Sequence, residues 1–346
     1  MITDLTLSGY RSFSRLRVDR LTRVNLFVGT NNAGKTSILE AVELVATGTV
    51  EGLVRSAIRR GERILSSPED KNEFARHVID PSHLFHGHAL QKGASFSIEG
   101  QGEMGYWVRC DIEFAGSAEG PILSLRFLSH LTNEGPVERL SISPSGGVLP
   151  PPRYRAEASP RVNFLDIEAT HAARLSQLWD SVVLTPEEER VATALQIIEP
   201  RLERIAFVGE NGKVSRSIFL KLASSNQRLP LGSLGDGLKR LLALALHLVS
   251  ARGGFLLVDE IDTGLHHTVM ADMWRLVIRT AIDLKMQVFA TTHSLDCVRA
   301  LAWVCEEHPE FASEATLHRI EKGAPQTVAF SIDEVAVAAQ HHLEVR

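Results

Sequence analysis

The sequence predicts an α/β protein with a parallel sheet that is buried on both faces. Three short and largely apolar runs, "RVNLFVG", "GFLLV" and "QVFATTHS", have the length of strands. Segments with the apolar spacing of helices lie between and after these runs. Apolar strands that alternate with helices are typical of a parallel sheet covered by helices on both sides. The hydrophobic fraction of 44% is ample for a packed core in a chain of 346 residues.

Other patterns predict a second, antiparallel β-rich segment over residues 94–145. The stretches "ASFSIEG", "YWVRCDIEFA" and "ILSLRFLSH" alternate between apolar and polar residues, as strands with one buried face do. Later in the chain, "PEEERVATALQIIEPRLERI" predicts a helix and "RSIFLKLAS" predicts a strand. The fold class is therefore a mixed one, with a parallel core, an antiparallel segment and a helical part.

The bulk composition excludes several classes of protein. The net charge of −5 argues against a generally basic nucleic-acid binder. The three cysteines form no CxxC pair, which argues against a disulfide framework or a structural zinc site. The N-terminus has the alternation of a strand, and no apolar run approaches the length of a membrane span. We expect a cytoplasmic protein that has no membrane partner.

A phosphate-binding loop is predicted where the first apolar strand ends. The stretch "GTNNAGKT" fits the pattern G-x-x-x-x-G-K-[ST] at Gly29, Gly34, Lys35 and Thr36. Backbone N–H groups from Asn32 to Thr36 would cradle a β-phosphate. Lys35 would reach the β- and γ-phosphates, and the Thr36 hydroxyl would hold Mg²⁺. The alternative is a glycine-rich turn beside a lysine without function.

An acidic pair follows the second apolar strand. The stretch "FLLVDE" places Asp259 and Glu260 at the carboxyl end of a buried strand, the edge at which open α/β sheets bind ligands. Asp259 would hold Mg²⁺, and Glu260 would act as the general base for an attacking water. The alternative is an acidic pair that only caps a strand.

The third apolar strand, "VFATTHS", ends in His293. We expect this strand to lie beside the previous one and to bring His293 to the same edge. The imidazole would then contact the γ-phosphate or its attacking water. The alternative is a polar residue that is satisfied by its surroundings.

A glycine turn precedes a long apolar helix in "PLGSLGDGLKRLLALALHLVS". Gly235 and Gly237 permit a tight turn with positive φ. The start of a helix presents unpaired N–H groups and the positive end of the helix dipole, so an anion is the expected ligand.

In this order the motifs resemble those of the ABC-type ATPases, and within them those of the SMC/RecF/OLD branch. "GTNNAGKTS" is similar to the form G-x-N-x-x-G-K-[ST] of that branch, with Asn31 at the asparagine. "LGDGLKRLLALAL" is similar to the signature motif Leu-Ser-Gly-Gly with its following helix, and "DEIDTGLH" is similar to the Walker B motif and D-loop. The resemblance covers residues 1–45 and 228–300, and it is to a stand-alone member without a nuclease domain.

The resemblance implies a P-loop NTPase fold of the ABC-type ATPase head, with ATP and Mg²⁺ as cofactors. Two protomers of that family sandwich ATP, so a second copy of the chain is the expected partner. The resemblance and the loop pattern together predict catalytic roles for Lys35, Glu260 and His293 and Mg²⁺ contacts for Thr36 and Asp259. The residues expected to bind nucleotide are Gly29, Asn31, Asn32, Ala33, Gly34, Lys35, Thr36 and Ser37 of one protomer and Gly235, Asp236 and Gly237 of the other.

We predict two lobes on this basis. A discontinuous nucleotide-binding lobe would comprise residues 1–165 and 241–346 and include the β-rich segment 94–145. A helical lobe over residues 166–240 would end at the signature turn.

Three positions depart from the family pattern. Gly235 stands at the signature serine, Asp236 at the first signature glycine and His266 at the D-loop aspartate. The negative charge of Asp236 would repel phosphate, and Lys239 and Arg240 are expected to offset it. These departures predict slow hydrolysis.

The function implied by the resemblance is an ATP-dependent switch in DNA repair, chromosome maintenance or anti-phage defence. The segment after His293 shows no clustered acidic metal site, so a separate effector protein from the same operon is a candidate partner, as is DNA. One alternative is a non-enzymatic ATP-binding scaffold, and a less favoured one is the ATPase subunit of a transporter.

Three further features have simpler interpretations. "RSAIRRGER", from Arg55 to Arg63, is interpreted as a solvated helix face or partner surface, with contact to DNA phosphates as the alternative. The histidines of "HLFHGH" are interpreted as a solvated loop in preference to a metal site. Gln91 is a candidate for the family's Q-loop glutamine.

Overall fold

The chain forms two compact units. The structure, a computed structural model, describes residues 1–62, 78–103, 105–117, 120–131, 138–142, 147–148, 162–166, 170–209, 216–223 and 227–340. Unit 1 comprises Met1–Leu21, Asn31–Pro160 and Ile320–Thr327, and unit 2 comprises Thr22–Thr30, Arg161–Arg319 and Val328–Arg346.

The described residues form the following strands and helices. The strands are β1 (Ile2–Tyr10), β2 (Phe13–Val18), β3 (Val24–Val28), β4 (Ser95–Gly102), β5 (Tyr106–Ser117), β6 (Gly120–Ser129), β7 (Glu138–Ser141), β8 (Val162–Leu165), β9 (Leu202–Gly209), β10 (Arg216–Leu222), β11 (Leu229–Pro230), β12 (Phe255–Val258), β13 (Gln287–Thr291), β14 (Ala315–Arg319) and β15 (Val328–Ser331). The α-helices are α1 (Lys35–Thr47), α2 (Val50–Arg59), α3 (Ala172–Val182), α4 (Pro186–Gln196), α5 (Asp236–Ser250), α6 (Met270–Asp283), α7 (Leu295–Glu307), α8 (Pro309–Ala312) and α9 (Ile332–Gln340).

Unit 1 is built on an antiparallel sheet. Its strand order is β2-β1-β4-β5-β6-β7, and every neighbouring pair is antiparallel. The alternating stretches that predicted strands in segment 94–145 correspond to β4, β5 and β6, so that prediction is confirmed. Tyr10 at the end of β1 is buried, and its ring meets the Phe96 ring of β4 with centroids 5.1 Å apart.

Helix α1 is buried within unit 1 and packs on β4 and β5. It ends at Gly48, whose φ of 60° places it in the left-handed conformation and whose N–H bonds to Leu44 O. Glycine adopts this conformation without the steric cost that a side chain brings. A short link leads to α2. Thr49 caps the start of α2, since its hydroxyl accepts a hydrogen bond from Gly52 N–H.

Unit 2 contains the predicted parallel sheet. The strand order is β15-β14-β3-β13-β12-β8, and all pairs are parallel except the one between β14 and β15. Every residue of β3, β12 and β13 is buried, as a sheet covered on both faces requires. The expected adjacency of β12 and β13 is confirmed. Strands β8 and β14 extend the sheet beyond the three strands that the apolar runs predict.

Helices α3 to α7 and α9 surround this sheet with one continuous apolar core. The core includes Trp274 of α6, which is fully buried and whose Nε1 donates to Cys297 O of α7 at 3.0 Å. Helix α5 is apolar along most of its length and is in contact with α3, α4 and β8. None of the described helices combines the length and the apolar composition needed to cross a membrane.

The helix predicted from Pro186 is shorter than its pattern suggests. Helix α4 ends at Gln196, and the chain enters β9 at Leu202. Pro200 lies between them, and proline disfavours the helical conformation of the residue before it. Strand β9 pairs with β10 in a three-stranded antiparallel sheet, β11-β10-β9. The part of the chain predicted to be a helical lobe therefore contains strands as well.

The compact units divide the chain at different places from the predicted lobes. Residues 166–240 belong to the same unit as 241–319, because α3 and α4 pack directly on α5 and share its apolar core. The predicted lobe boundaries, between residues 165 and 166 and between residues 240 and 241, stay a prediction.

Candidate functional site

The predicted phosphate loop lies between β3 and α1 and has the backbone of a tight turn. Gly29, Asn32 and Gly34 all have positive φ, at 148°, 59° and 99°. A Cβ atom at Gly34 would lie 2.3 Å from the Phe13 ring, so both the conformation and the close approach require glycine there. The loop crosses from unit 2 into unit 1 between Thr30 and Asn31.

Side chains of the loop differ in their exposure. Lys35 is the first residue of α1 and is buried, with 7% of its surface exposed, whereas Thr36 is partly buried. Asn31 and Asn32 are exposed, and Ala33 is buried. The first hydrogen bond of the helix runs from Ile38 N–H to Gly34 O at 3.1 Å. The N–H groups of residues 35–37 therefore come before the first backbone hydrogen bond of the helix. N–H groups in this position bind anions at the start of a helix.

In unit 2, the acidic pair follows β12 and is held by a threonine of the neighbouring strand. The Thr291 hydroxyl donates to Asp259 Oδ1 at 2.6 Å and accepts from Glu260 N–H at 2.8 Å. Glu260 has a φ of 50°, and its Oε2 accepts from the Thr263 hydroxyl at 3.1 Å. A positive φ at a non-glycine residue is uncommon and persists only where the surroundings hold it. Thr291 thus orients both members of the pair through a single hydroxyl group.

Arg240 of α5 supports the same turn from within unit 2. Its guanidinium donates to the backbone oxygens of Asp166, Asp259 and Glu260 at 2.9, 2.9 and 3.1 Å. The side chain is 5% exposed, and this burial lowers its pKa although Asp166 and Asp259 oppose the effect. The guanidinium of Arg240 is committed to these backbone oxygens, and its expected electrostatic effect on Asp236 stays a prediction.

Replacing Arg240 by methionine should destabilise the fold by about 2–3 kcal/mol, since three partly buried carbonyl groups lose a charged donor. Urea unfolding followed by circular dichroism measures this change. Lys239→Met, one position earlier on α5, is the matched control and should change the free energy of unfolding by less than about 0.5 kcal/mol. Equal effects of the two substitutions would contradict the structural role assigned to Arg240.

Beyond β13, His293 is exposed and is flanked by residues that fix the turn. The Thr292 hydroxyl donates to Asp262 Oδ1 at 2.5 Å and accepts from Ser294 N–H at 2.9 Å. Ser294 in turn caps α7 by accepting from Cys297 N–H. His293 follows the strand next to β12, as the sequence predicts, and its role in a reaction remains a prediction.

The glycine turn has the predicted local geometry. Gly235 has a φ of 93°, and α5 begins at Asp236. Gly235 and Asp236 are exposed. A Cβ atom at Gly237 would lie 3.0 Å from Gly264 O, so the turn abuts the loop that contains His266. His266 is exposed, with its Nδ1 2.9 Å from the Thr268 hydroxyl and its ring 4.1 Å from that of His267.

The basic stretch from Arg55 is engaged by carboxylates of α1. Arg60 pairs with Glu40 at 2.8 Å, and Arg59 pairs with Glu43 at 2.8 Å. The interpretation of this stretch as a solvated face holds for Arg55 and for Arg60, which are both exposed, and is wrong for Arg59, whose side chain is only 18% exposed. Arg63 lies outside the described residues.

The histidines of the histidine-rich loop and Gln91 are exposed in unit 1. The His83 and His88 rings contact each other with centroids 5.1 Å apart, and His86 Nδ1 lies 3.1 Å from Arg11 O. Among the described residues, no group of three or more His, Cys, Asp or Glu side chains is placed to hold a metal ion. Gln91 is exposed in the turn before β4, where its carbonyl accepts from Ala94 N–H.

Sequence reasoning missed Thr291, Thr292 and Arg240 as parts of this site. The two threonines directly before His293 were a signal in "ATTHS", since hydroxyl groups at the end of a buried strand need hydrogen-bond partners. Arg240 carried a weaker signal, as a charged residue on the apolar face of a buried helix.

Fold and site together define a P-loop ATPase of the ABC type with the fold of SMC heads. The SMC head bound to the C-terminal winged-helix domain of ScpA is 15% identical, with a TM-score of 0.52, over 96% of this chain and 98% of that chain. A Pyrococcus furiosus Smc head with an extended coiled coil is 13% identical, with a TM-score of 0.51, over 99% of both chains. These identities establish the fold alone.

The chain belongs to the AAA_21 family, whose description is "AAA domain, putative AbiEii toxin, Type IV TA system" and whose model matches residues 24–297. A Helicobacter pylori protein named "ATP/GTP phosphatase" is 21% identical over 92% of this chain and 91% of its own length. The Bifidobacterium longum DNA replication and repair protein RecF is 46% identical over 48 residues, which cover 14% of this chain and 12% of that protein.

Proposed function

We propose that this chain binds and hydrolyses ATP with Mg²⁺ and that the bound nucleotide controls its association with a second copy. The observation that carries the proposal is the phosphate loop, in which three positive-φ residues precede the buried Lys35 at the start of α1. Membership of the AAA_21 family supports it. The experiment that tests it is ATPase turnover and oligomeric state, each measured with and without DNA.

The loop residues have the chemistry needed to bind phosphate. Lys35 supplies a positive charge, and the backbone from Asn32 to Ser37 supplies N–H donors at the start of a helix. Ser37 contributes through its backbone, because its hydroxyl already accepts from Arg60 Nη2 at 3.1 Å. Asn31 and Asn32 are exposed where a nucleotide would meet the loop.

The donor set also fits Mg²⁺. Thr36 and Asp259 offer a hydroxyl and a carboxylate, and Mg²⁺ prefers such hard oxygen ligands together with water and phosphate. Asp259 is oriented through its Oδ1, which accepts from the Thr291 hydroxyl at 2.6 Å. When bound, the ion would neutralise charge on the β- and γ-phosphates.

Glu260 is proposed as the general base. Thr291 fixes its backbone N–H, and Thr263 donates to one of its carboxylate oxygens. A carboxylate oriented in this way can accept a proton from a water molecule that attacks phosphorus. His293, which follows the next strand, is proposed to contact the γ-phosphate or that water.

Self-association is proposed to use the glycine turn at Gly235 to Gly237. Gly235 and Asp236 are exposed on unit 2, so they are available to the phosphate of a nucleotide held by another copy. ATP shifts an association equilibrium only if it binds the associated form more tightly than the free form. Contact of the turn with the γ-phosphate would provide this difference, since ADP lacks that group.

Asp236→Gly should accelerate hydrolysis and strengthen ATP-dependent association, because it removes a negative charge that faces phosphate. We expect turnover to rise by about tenfold, which corresponds to about 1.4 kcal/mol of recovered electrostatic attraction. Steady-state phosphate release and light scattering with ATP measure the two effects. Asp333→Gly, at an exposed position of α9, is the control for loss of a surface carboxylate. A slower Asp236→Gly enzyme would show that Asp236 assists the reaction.

We propose a biological role in DNA repair, chromosome maintenance or anti-phage defence, exercised through a separate effector. The local match to RecF and the family's description as part of a toxin–antitoxin system support roles of this kind. Purification of the native complex under ATP tests for the effector. A protein that is fully active by itself would contradict the proposal of a separate effector.

The second candidate function is an ATP-binding scaffold whose hydrolysis is incidental. Asp236 and His266, both exposed and both departures from the signature and D-loop patterns, favour it. Turnover that is unchanged by DNA, by any partner and by Glu260→Gln would identify the scaffold, whereas a rate that depends on Glu260 would identify the enzyme.

A further inference from the structure

A buried charge network surrounds Glu40 of α1 in unit 1. This carboxylate is 0% exposed, and two arginines contact it, with Arg60 Nε within reach of both of its oxygens. Arg11, in the turn between β1 and β2, reaches Oε2 with its Nε at 2.8 Å. Arg60, which follows α2, reaches Oε1 with its Nε at 2.8 Å. Both oxygens of the carboxylate are therefore held by guanidinium groups from separate elements.

The Arg60 guanidinium also reaches the first turn of α1, directly after the phosphate loop. Its Nη2 donates to the Ser37 hydroxyl at 3.1 Å, and Ser37 directly follows Thr36. Ser37 and Glu40 are three residues apart and so lie on the same face of α1. A guanidinium is planar and rigid, so one group that contacts both positions fixes the helix against rotation about its own axis.

We propose that Arg60 is a positioning residue for nucleotide binding. It fixes the rotation of α1 about its own axis, and thereby the directions in which the Lys35 and Thr36 side chains point. The inference rests on the proposed ATP binding. Successive residues of a helix differ in direction by about 100°. A contact at Ser37 therefore determines where the two preceding side chains point, without touching the nucleotide.

Stability alone does not account for this network. Desolvation of buried charges often cancels the attraction between them, so a buried ion pair is weak support for a stability role. Arg11 is 4% exposed and has an uncommon φ of 50°, and it also binds Glu62 and Ser56. Two arginines thus meet one face of α1 at Glu40, and one of them, Arg60, also contacts the first turn of the helix at Ser37.

The chain provides a matched control one residue away. Arg59 of α2 pairs with Glu43 through Nη2 at 2.8 Å, so it forms the same type of ion pair with the same helix. Glu43 lies nearly one turn farther from the loop than Glu40. Arg59 is the less accessible of the two, with 18% of its side chain exposed against 34% for Arg60.

The test compares Arg60→Gln and Arg59→Gln in the full chain by titration with a fluorescent ATP analogue and by urea unfolding. We expect Arg60→Gln to weaken binding about tenfold, and Arg59→Gln to leave it within about twofold. Both should shift the urea midpoint by similar amounts. Arg60→Lys, which keeps the charge but loses the planar fork, should also weaken binding, and it serves as the test if Arg60→Gln does not fold.

Two results would overturn the inference: unchanged affinity in Arg60→Gln and Arg60→Lys, or equal loss of affinity in Arg59→Gln. Failure of the proposed function itself gives a different result. In that case the wild-type protein does not bind the analogue, and Lys35→Ala behaves like the wild type. The two hypotheses are therefore tested separately by one set of titrations.

Discussion

Lys35→Ala should abolish measurable ATP binding while leaving the fold intact. Lys35 is the first residue of α1, directly follows the loop glycine Gly34 and is buried, and its ammonium group is the positive charge that we propose binds phosphate. A charge-assisted contact in such a setting is worth about 3 kcal/mol, and its loss lowers affinity by about 100-fold or more. Titration with a fluorescent ATP analogue measures the affinity, and thermal unfolding without nucleotide checks the fold.

Lys322→Ala is the control for this experiment. Lys322 also belongs to unit 1 and is exposed, so its removal changes the net charge equally but removes no loop contact. We expect its affinity to equal that of the wild type. Unchanged affinity in Lys35→Ala would contradict the assignment of Gly29 to Thr36 as the phosphate loop.

Glu260→Gln should nearly stop hydrolysis and trap an ATP-bound dimer. The amide keeps the size of the side chain and can still accept from the Thr263 hydroxyl, but it cannot take a proton from water. Removal of a general base costs about 100-fold to 10,000-fold in rate. Because ATP then persists, the associated form accumulates. Phosphate release and light scattering with ATP measure these two effects.

Glu310→Gln is the matched control, since Glu310 belongs to the same unit and 62% of its side chain is exposed. It should hydrolyse ATP at the wild-type rate. A Glu260→Gln protein that holds ATP but remains monomeric would contradict nucleotide-dependent self-association. A variant that hydrolyses normally would contradict the role of Glu260 as base.

The local conformations at the site were predictable from short stretches of sequence. Glycines at 29, 34 and 235 occupy positions with positive φ, and glycine adopts such φ values at little cost. The apolar runs of β3, β12 and β13 indicated strands without a polar face, and these strands are buried throughout. The alternation of apolar strands and helices indicated a parallel sheet, and in it we expected β12 and β13 to be neighbours that end at the same edge.

The supporting contacts of the acidic pair were not predictable in this way. Thr291 lies 32 residues from Asp259 along the chain, and Arg240 lies 74 residues from Asp166. Neither pairing leaves a periodic pattern, because it depends on which strands become neighbours and on how α5 packs against them. For the same reason, nothing in the sequence indicated that the exposed Arg60 pairs with the buried Glu40.

By itself, the sequence determined the strand–loop–helix at Gly29 to Thr36, the acidic ending of a buried strand at Asp259, and the glycine turn before α5. These features depend on backbone preferences and on the spacing of apolar residues over a few positions. Only the tertiary structure decided which polar groups hold those features in place: Thr291, Arg240 and Arg60. Their partners are distant in sequence, and they meet because burial leaves each charge or hydroxyl in need of a partner that only the assembled fold supplies.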